Sequence, residues 1–319
     1  MHSERAGRGT AGLERGDPLN WNDFSLRQLA HFVAIAETGT ISGAAERLFM
    51  SPSALAASLA ELERSLNANL CVRRRSHGVT LTPVGRVVLR GAKTLLGDAS
   101  ELSYLARGNA AELVGPLVVG CFVTLAPTVL PPLLEAFEAQ HPKVTVDFVE
   151  GDQITLQEKL IEGELDIAVM YDLDITADLA ALVLYEPRAY ALFATDHPLA
   201  SAESVSLEQL AVEPLALFNQ PPSAHYAMSL FKNRDLVPLV RHRTQTLELT
   251  RSLVARNLAY AILVQRPRNK SSYEGRSIVE KEIRPAVEAC PVILAWPRDA
   301  TPSPRARAFA QLAREQYAS

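Results

Sequence analysis

The stretch Ala44-Ala45-Glu46-Arg47-Leu48-Phe49-Met50-Ser51-Pro52-Ser53-Ala54-Leu55 decides how the chain is read. Ala44, Ala45 and Leu48 form the inward side of a short helix from about Thr40 to Leu48, and the two alanines allow a neighbouring helix close approach. Ser51-Pro52 then opens a second helix. A serine before the first helical residue accepts from free N–H groups, and proline at the first position forfeits no hydrogen bond. This helix continues through Leu55, Leu59, Leu62 and Leu66 at helical spacing. Upstream, Leu26, Leu29, Phe32, Val33 and Ala36 mark a supporting helix between Ser25 as N-cap and Gly39 just past its end. A supporting helix followed by two helices across a tight turn predicts a helix-turn-helix, whose last helix enters a DNA major groove with its N-terminus leading.

Working outward, Leu70–Leu81 reads as a β-hairpin with His77-Gly78 near its tip, a wing carrying Arg73, Arg74 and Arg75. The charge pattern agrees. The chain has 319 residues and net charge −4. Residues 1–108 hold 13 Lys and Arg against 10 Asp and Glu, while the remainder holds 19 against 26. No acid occurs between Glu63 and Asp98, where Arg64, Arg86, Arg90 and Lys93 join the wing arginines. A basic stripe on an acidic protein is what phosphate contact requires.

The residues Leu26-Arg27-Gln28-Leu29, Phe32-Val33-Ala34, Ala44 to Leu48, Ser51 to Leu55, Leu62-Glu63 and Leu81-Thr82-Pro83-Val84-Gly85 together resemble the winged helix of LysR-type transcriptional regulators. The resemblance implies double-stranded DNA as partner. It implies contacts from Arg27, Ser42, Ser51, Pro52, Ser53, Ala57 and Ser58 on the helices and from Arg73, Arg74 and Arg75 on the wing. The family usually has Gln at Pro52 and often a polar pair at Ala56-Ala57. Alanine touches a thymine methyl but cannot pair with guanine, so readout here leans on Ser53, Ser58, apolar contact and DNA shape.

From Pro83 to about Arg107, Val84, Val88, Ala92, Leu95, Ala99, Leu102 and Ala106 recur at coiled-coil spacing. With only about sixty residues of core before it, this helix is expected to pair with a second copy, as the family's linker helix does. Gly85 through Gly91-Ala92-Lys93-Thr94 is no phosphate loop: the glycine spacing is one residue too long and the run lies within a helix.

Beyond Gly108–Gly115, read as a hinge, elements alternate. Leu117–Cys121, Lys143–Val149 and Leu165–Met170 read as strands, with helices at Pro127–Gln140 and Gln153–Gly163 between them, an order implying a mostly parallel sheet. A second set comprises strands near Tyr190–Ala194, Leu215–Phe218, Leu239–Thr244 and Tyr260–Val264. Its helices fall at Leu207–Leu210, Tyr226–Arg234 and Thr246–Arg256. Strand Val292–Trp296 and helix Pro304–Tyr317 close the chain. The expected fold is α/β overall: a mainly α winged helix-turn-helix at 23–82, a linker helix at 83–108, and a two-lobed domain like periplasmic binding proteins at 115–319. Lobe I covers 115–187 and 289–319, lobe II 188–288. Gly163 to Ala168, Asp196 to Ala200 and Arg305 to Phe309 are similar to the same family's effector domain. Ligands bind where strands end and lobes face each other. The resemblance implies a small-molecule effector touching Phe122, Thr124, Asp152, Tyr171, Asp172, Phe218, Asn219 and Gln265. Helix N-termini there favour anions. An Asp152 lining the cleft instead suggests an amine or guanidinium group, unless it merely caps the helix that follows.

Several function classes fall away. Cys71, Cys121 and Cys290 lack metal or redox spacing, and the seven histidines form no metal pattern. No GxSxG, HExxH or Walker motif supports an enzyme. Leu113–Leu134 is uncharged but broken by Gly and Pro, unlike a membrane span. The polar stretch 1–22 lacks a secretory core and reads as a disordered tail on a cytoplasmic, soluble protein with no cofactor or metal. Tyr273-Glu274-Gly275-Arg276 is a polar turn without assigned chemistry. The reading is a sequence-specific, effector-responsive transcription regulator, a dimer or tetramer. Its rival is a solute-binding module whose DNA-binding end is vestigial, favoured by Pro52 and Ala56-Ala57.

Overall fold

The computed structural model describes residues 24–74, 78–105 and 113–317. The expected tail at 1–22, Arg75 and His77 of the wing, and most of the expected hinge lie outside the described residues. The chain divides into two compact units, up to Leu96 and from Gly97 onward.

In the first unit α1 (Leu26–Thr38) starts at Ser25 in a capping box with Gln28 and ends at Gly39 with φ +66°. α2 (Ile41–Arg47) is capped by Thr40, and α3 (Pro52–Ser65) by Ser51 with proline leading. The positive φ at Gly39 explains why glycine stands there: a Cβ is disfavoured in the left-handed region. Phe32, Ile35, Leu55, Leu59, Leu62 and Leu70 are fully buried, each contributing roughly 1.5–3 kcal/mol relative to exposure. Leu26, expected inward, is 48% exposed, while Ile35 takes the central place. β1 (Cys71–Arg74) pairs antiparallel with β2 (Gly78–Leu81), Cys71 opposite Leu81 and Arg74 opposite Gly78.

α4 (Pro83–Leu105) follows without a break. Its apolar residues do not form one seam. Leu89 and Ala92 are buried in the winged-helix core, whereas Val84, Val87, Leu95 and Leu102 are exposed. Ala92, expected on the pairing stripe, therefore belongs to the inward face; Ala106 lies outside the described residues.

The second unit opens with β3 (Gly115–Phe122), α5 (Ala126–Gln140), β4 (Val144–Gly151), α6 (Gln153–Glu162), β5 (Ile167–Tyr171) and β6 (Leu179–Tyr185). Then come β7 (Tyr190–Ala194), β8 (Ser204–Val205), α7 (Leu207–Ala211), β9 (Pro214–Phe218) and α8 (Ser223–Lys232). β10 (Leu239–Thr244), α9 (Leu247–Ala255), β11 (Ala261–Leu263) and β12 (Ile278–Ile283) follow, and β13 (Val292–Pro297) and α10 (Pro304–Tyr317) complete the chain. The uncharged run Leu113–Leu134 divides into β3, a turn and the start of α5. No helix among the described residues is long and apolar enough to cross a membrane.

The first sheet has the order β4-β3-β5-β13-β6. β3 is parallel to both neighbours, but β13 runs antiparallel to β5 and β6. The mostly parallel expectation thus holds for β4-β3-β5 and fails for the returning strand and its partner β6. The second sheet, β11-β7-β12-β8, is largely antiparallel, with the parallel pair β9 and β10 joined through Leu215 beside Tyr260. The chain crosses between the sheets twice, and the crossings lie side by side. Arg188 bridges Ala289, and Cys290 N donates to Pro187 O at 2.8 Å. Two adjacent short connectors form the minimal hinge between lobes.

Candidate functional site

The helix-turn-helix presents the N-terminal edge of α3 to solvent. Ser51 Oγ accepts from Ala54 N at 3.2 Å, and Ser53 Oγ lies 3.2 Å from it. Ser51, Pro52, Ser53 and Ala57 are all exposed, as are Ser42 in the first turn of α2 and Arg27 in that of α1. Ser58 differs. It is half-buried, with its hydroxyl 2.8 Å from His31 Nδ1. Burial, then the nearby Arg27 charge, holds the His31 pKa below the ordinary imidazole value, so the ring stays neutral at pH 7 and joins α1 to α3. The Ser58 hydroxyl thus spends one of its hydrogen-bonding positions inside the fold.

The wing is fastened at both ends. Glu63 Oε1 of α3 accepts from Leu70 N at 2.8 Å and Cys71 N at 3.1 Å. Val79 N of β2 donates to Gly39 O at 2.7 Å. Thr82 Oγ1 donates to Asn69 O at 2.7 Å and accepts from Gly85 N at 2.9 Å. Arg73 and Arg74 lie on β1; Arg75 lies outside the described residues. Lys93 of the basic window instead faces Glu37 at 3.6 Å.

In the second unit a cleft of about 860 Å³ opens between the two sheets, within the range of small-ligand sites. Thr124 and Pro127 at the β3–α5 turn form one wall; Phe218 at the end of β9 and Leu247 at the start of α9 face them. Beside it, Thr124, Tyr171, Phe218 and Gln265 border a hole of about 20 Å³, room for one water or one ligand atom. Thr124 is 7% exposed, and its Oγ1 is near the Tyr171 phenol but makes no well-formed hydrogen bond. Such a hydroxyl is costly to leave unmet, about 1–3 kcal/mol. Gln265 is held in place: its Nε2 donates to Tyr185 Oη at 3.1 Å and its Oε1 accepts from Thr128 Oγ1 at 3.3 Å. Burial pushes the Tyr171 phenol far above its ordinary pKa, so it stays protonated. The Cys290 thiol, also raised by burial to about 12, stays a thiol.

Of the eight residues expected at the ligand, the structure brings Thr124, Tyr171, Phe218 and Gln265 together. Phe122 is fully buried and packs edge-on against Tyr171, a core role. Asp172 is exposed and Asn219 Oδ1 accepts from Arg243 at 3.2 Å; neither lines the cleft. Asp152 caps α6, accepting from Ile154 N at 3.0 Å, Thr155 N at 2.9 Å and Thr155 Oγ1 at 2.8 Å. It also lies outside the cleft lining, so the amine argument built on it falls. Sequence reasoning missed the loop after β11, which brings Arg266 and Arg268 to the cleft, and Glu248 and Arg251 on α9. The Gln265-Arg266-Pro267-Arg268 cluster after an apolar strand was the available signal.

The Asp152 cap makes a pH-dependent prediction. The Thr155 N–H, with further help from its hydroxyl and the Ile154 N–H, holds this carboxyl below the ordinary aspartate value. Its stabilisation is complete above the unfolded pKa, about 3.9, and is lost as pH falls through the lower folded value. Asp152→Ala is expected to lower stability by about 1 kcal/mol at pH 7. The gap to the parent in urea unfolding should narrow below pH 4. A gap independent of pH there would rule out the charged cap.

Comparison with known proteins adds to this geometry. A sequence profile described as the LysR substrate binding domain matches residues 110–318. Another, for the bacterial regulatory helix-turn-helix protein of the lysR family, matches residues 26–86. The chain is similar to the HTH-type transcriptional regulator EstR of Acinetobacter baylyi, 34% identical over 196 residues, 61% of this chain and 64% of that protein. It is 30% identical over 242 residues to the HTH-type transcriptional regulator TtuA of Agrobacterium vitis, 75% of this chain and 79% of that protein. HinK, a LysR family transcriptional regulator from Pseudomonas aeruginosa, superposes with a TM-score of 0.62 at 30% identity, covering 92% of this chain and 98% of that one.

Proposed function

Because the chain belongs to the LysR family of bacterial transcription regulators, we propose that the α3 edge from Ser51 to Ala57 reads DNA while the cleft at Thr124 holds the effector. The family is regulatory rather than enzymatic, and it joins a DNA-binding helix-turn-helix to an effector-binding domain. The rival solute-binding reading finds no support among the relatives. Within that frame the segment 23–82 is the DNA-binding part, with Arg27 and Ser42 beside the α3 edge. Arg73 to Arg75 on the wing contact the phosphate backbone. The exposed Val84, Val87, Leu95 and Leu102 of α4 pair two copies in the cytoplasm, presenting two α3 edges to half-sites about one helical turn apart.

The observation that carries the effector half is Thr124. A buried hydroxyl without a well-formed partner, set in an atom-sized and mostly apolar hole, is suited to a ligand group that brings its own hydrogen-bonding atom. The effector switches regulation only if it binds two lobe arrangements with unequal affinity.

Gel retardation with the DNA upstream of its own gene tests the DNA half. The log of affinity is expected to fall linearly with log salt, with a slope of about −0.9 per neutralised phosphate. Replacing Arg73, Arg74 and Arg75 by alanine should flatten that slope by about 0.9 for each phosphate left without its arginine. An unchanged slope removes the wing from the interface. Sedimentation of the same preparation as a monomer would remove the pairing role of α4.

A further inference from the structure

Among the described residues, five charged side chains line the cleft: Glu150, Glu248, Arg251, Arg266 and Arg268. Three are already paired. Arg251, buried, meets Glu248 at 3.0 Å and donates to Asn269 O and Ser271 O at 2.8 and 2.7 Å. Arg266 meets Glu282 at 2.8 Å and Glu280 at 3.6 Å, and covers the Tyr190 ring at 4.4 Å. Glu150 and Arg268 remain without an ion pair among the described residues. They line the cleft from different sheets. Glu150 stands near the end of β4 in the first sheet, Arg268 on the loop after β11 beside the second.

We propose that the effector is a zwitterion of amino-acid type, with its carboxylate met by Arg268, its ammonium met by Glu150, and its apolar part against Phe218 and Leu247. This deepens the effector-cleft reading and rests on it. A simple anion gains Arg268 but brings its charge toward Glu150, and a simple cation does the reverse. A ligand carrying both charges satisfies both walls. It also bridges the two lobes, so it binds their closed arrangement more tightly than an open one. The loop that carries Arg268 is pinned, which limits the ordering cost of binding. Arg251 holds Asn269 and Ser271, Tyr273 N donates to Glu248 Oε1 at 2.6 Å, and Glu274 takes a two-point contact from Arg256 at 2.8 and 2.9 Å. The polar turn Tyr273-Glu274-Gly275-Arg276 thus acquires a role as an anchor of this loop.

The full-length chain tests the proposal by thermal shift against the twenty common amino acids. Each amino acid that raises the melting temperature is then titrated calorimetrically beside its analogue lacking the amine and its analogue lacking the carboxylate. At least one amino acid is expected to bind, with each analogue at least tenfold weaker. Glu150→Gln should weaken the amino acid tenfold and leave the amine-free acid unchanged. Arg268→Gln should weaken the amino acid and leave the carboxylate-free amine unchanged. Both side chains are exposed, so both variants should unfold like the parent without ligand. The proposal is overturned if the amine-free acid binds as tightly as its parent, or if each variant shifts all three ligands alike. It is also overturned if no amino acid binds. In that event, a broader metabolite panel producing a shift that Phe218→Ala abolishes leaves the effector cleft standing without the zwitterion. No shift from any compound removes both readings.

Discussion

Gly85→Ala is expected to unfold the winged-helix unit and abolish DNA retardation. Gly85 lies in the first turns of α4, buried against the backbone of Leu70. An added Cβ would lie 2.9 Å from the Leu70 carbonyl carbon and nearer still to its oxygen, an approach real Cβ atoms essentially never show. The obstacle is main chain, so no rotamer change relieves it. Nor can Leu70 retreat: its own side chain is fully buried, and Glu63 Oε1 holds its N–H and that of Cys71. Its carbonyl also accepts from Thr82 N at 3.0 Å. Overpacking a tight interior typically costs about 1–3 kcal/mol, with backbone-limited cases at the upper end or beyond. A unit this small has few kcal/mol in reserve. Calorimetry of the full chain should show the transition of the first unit abolished or shifted strongly downward, with that of the second in place. A variant that unfolds like the parent and still retards DNA would show that the Gly85 packing is slack.

The helix boundaries of this unit were readable because their signals are local. Ser25, Gly39 and Ser51-Pro52 each act within a few residues, and the structure has helix ends there. The fastening of the wing was not readable. Glu63 reaching Leu70, Val79 reaching Gly39 and Gly85 meeting Leu70 are contacts between separate elements. Periodicity along one element carries no information about them.

The same division runs through the second unit. Alternating strands and helices were found where apolar runs meet turn residues. β12, Ile278-Val279-Glu280-Lys281-Glu282-Ile283, was missed because its middle is charged. β6 was missed between two recognised strands, and with it the antiparallel side of the first sheet. At the small hole beside the cleft, Thr124, Tyr171, Phe218 and Gln265 lie at or just beyond strand ends, where the general rule for α/β sheets looks. Asp152 and Phe122 satisfy the same rule and yet serve a cap and a core. Sequence position near a strand end does not say which way a side chain turns. Glu150 and Arg268 line one cleft only because two crossings bring distant segments together, and no local pattern announces that arrangement.

Ala57→Glu is expected to abolish specific DNA binding while leaving the fold intact. Ala57 is exposed on α3, one turn beyond Ser53 and on the same side. Glutamate is almost as good a helix former as alanine, so the helix itself loses only a few tenths of a kcal/mol. Leu55, Leu59 and Leu62, which bury the opposite face, are untouched. On the proposed reading of the α3 edge the effect at the groove is different in kind. There the added carboxylate would displace a small apolar contact and stand against a surface of phosphate charge. A like-charge juxtaposition of this type costs about 3 kcal/mol, a loss of roughly 100-fold in affinity. Ala57→Ser, which keeps the size and adds one hydroxyl, should bind within severalfold of the parent. Retardation assays at fixed salt, with melting curves on the same samples, separate the two effects. A glutamate variant that melts like the parent and binds its operator equally well would take the outward face of α3 out of the groove. It would leave the wing and the first turn of α2 as the remaining route to DNA.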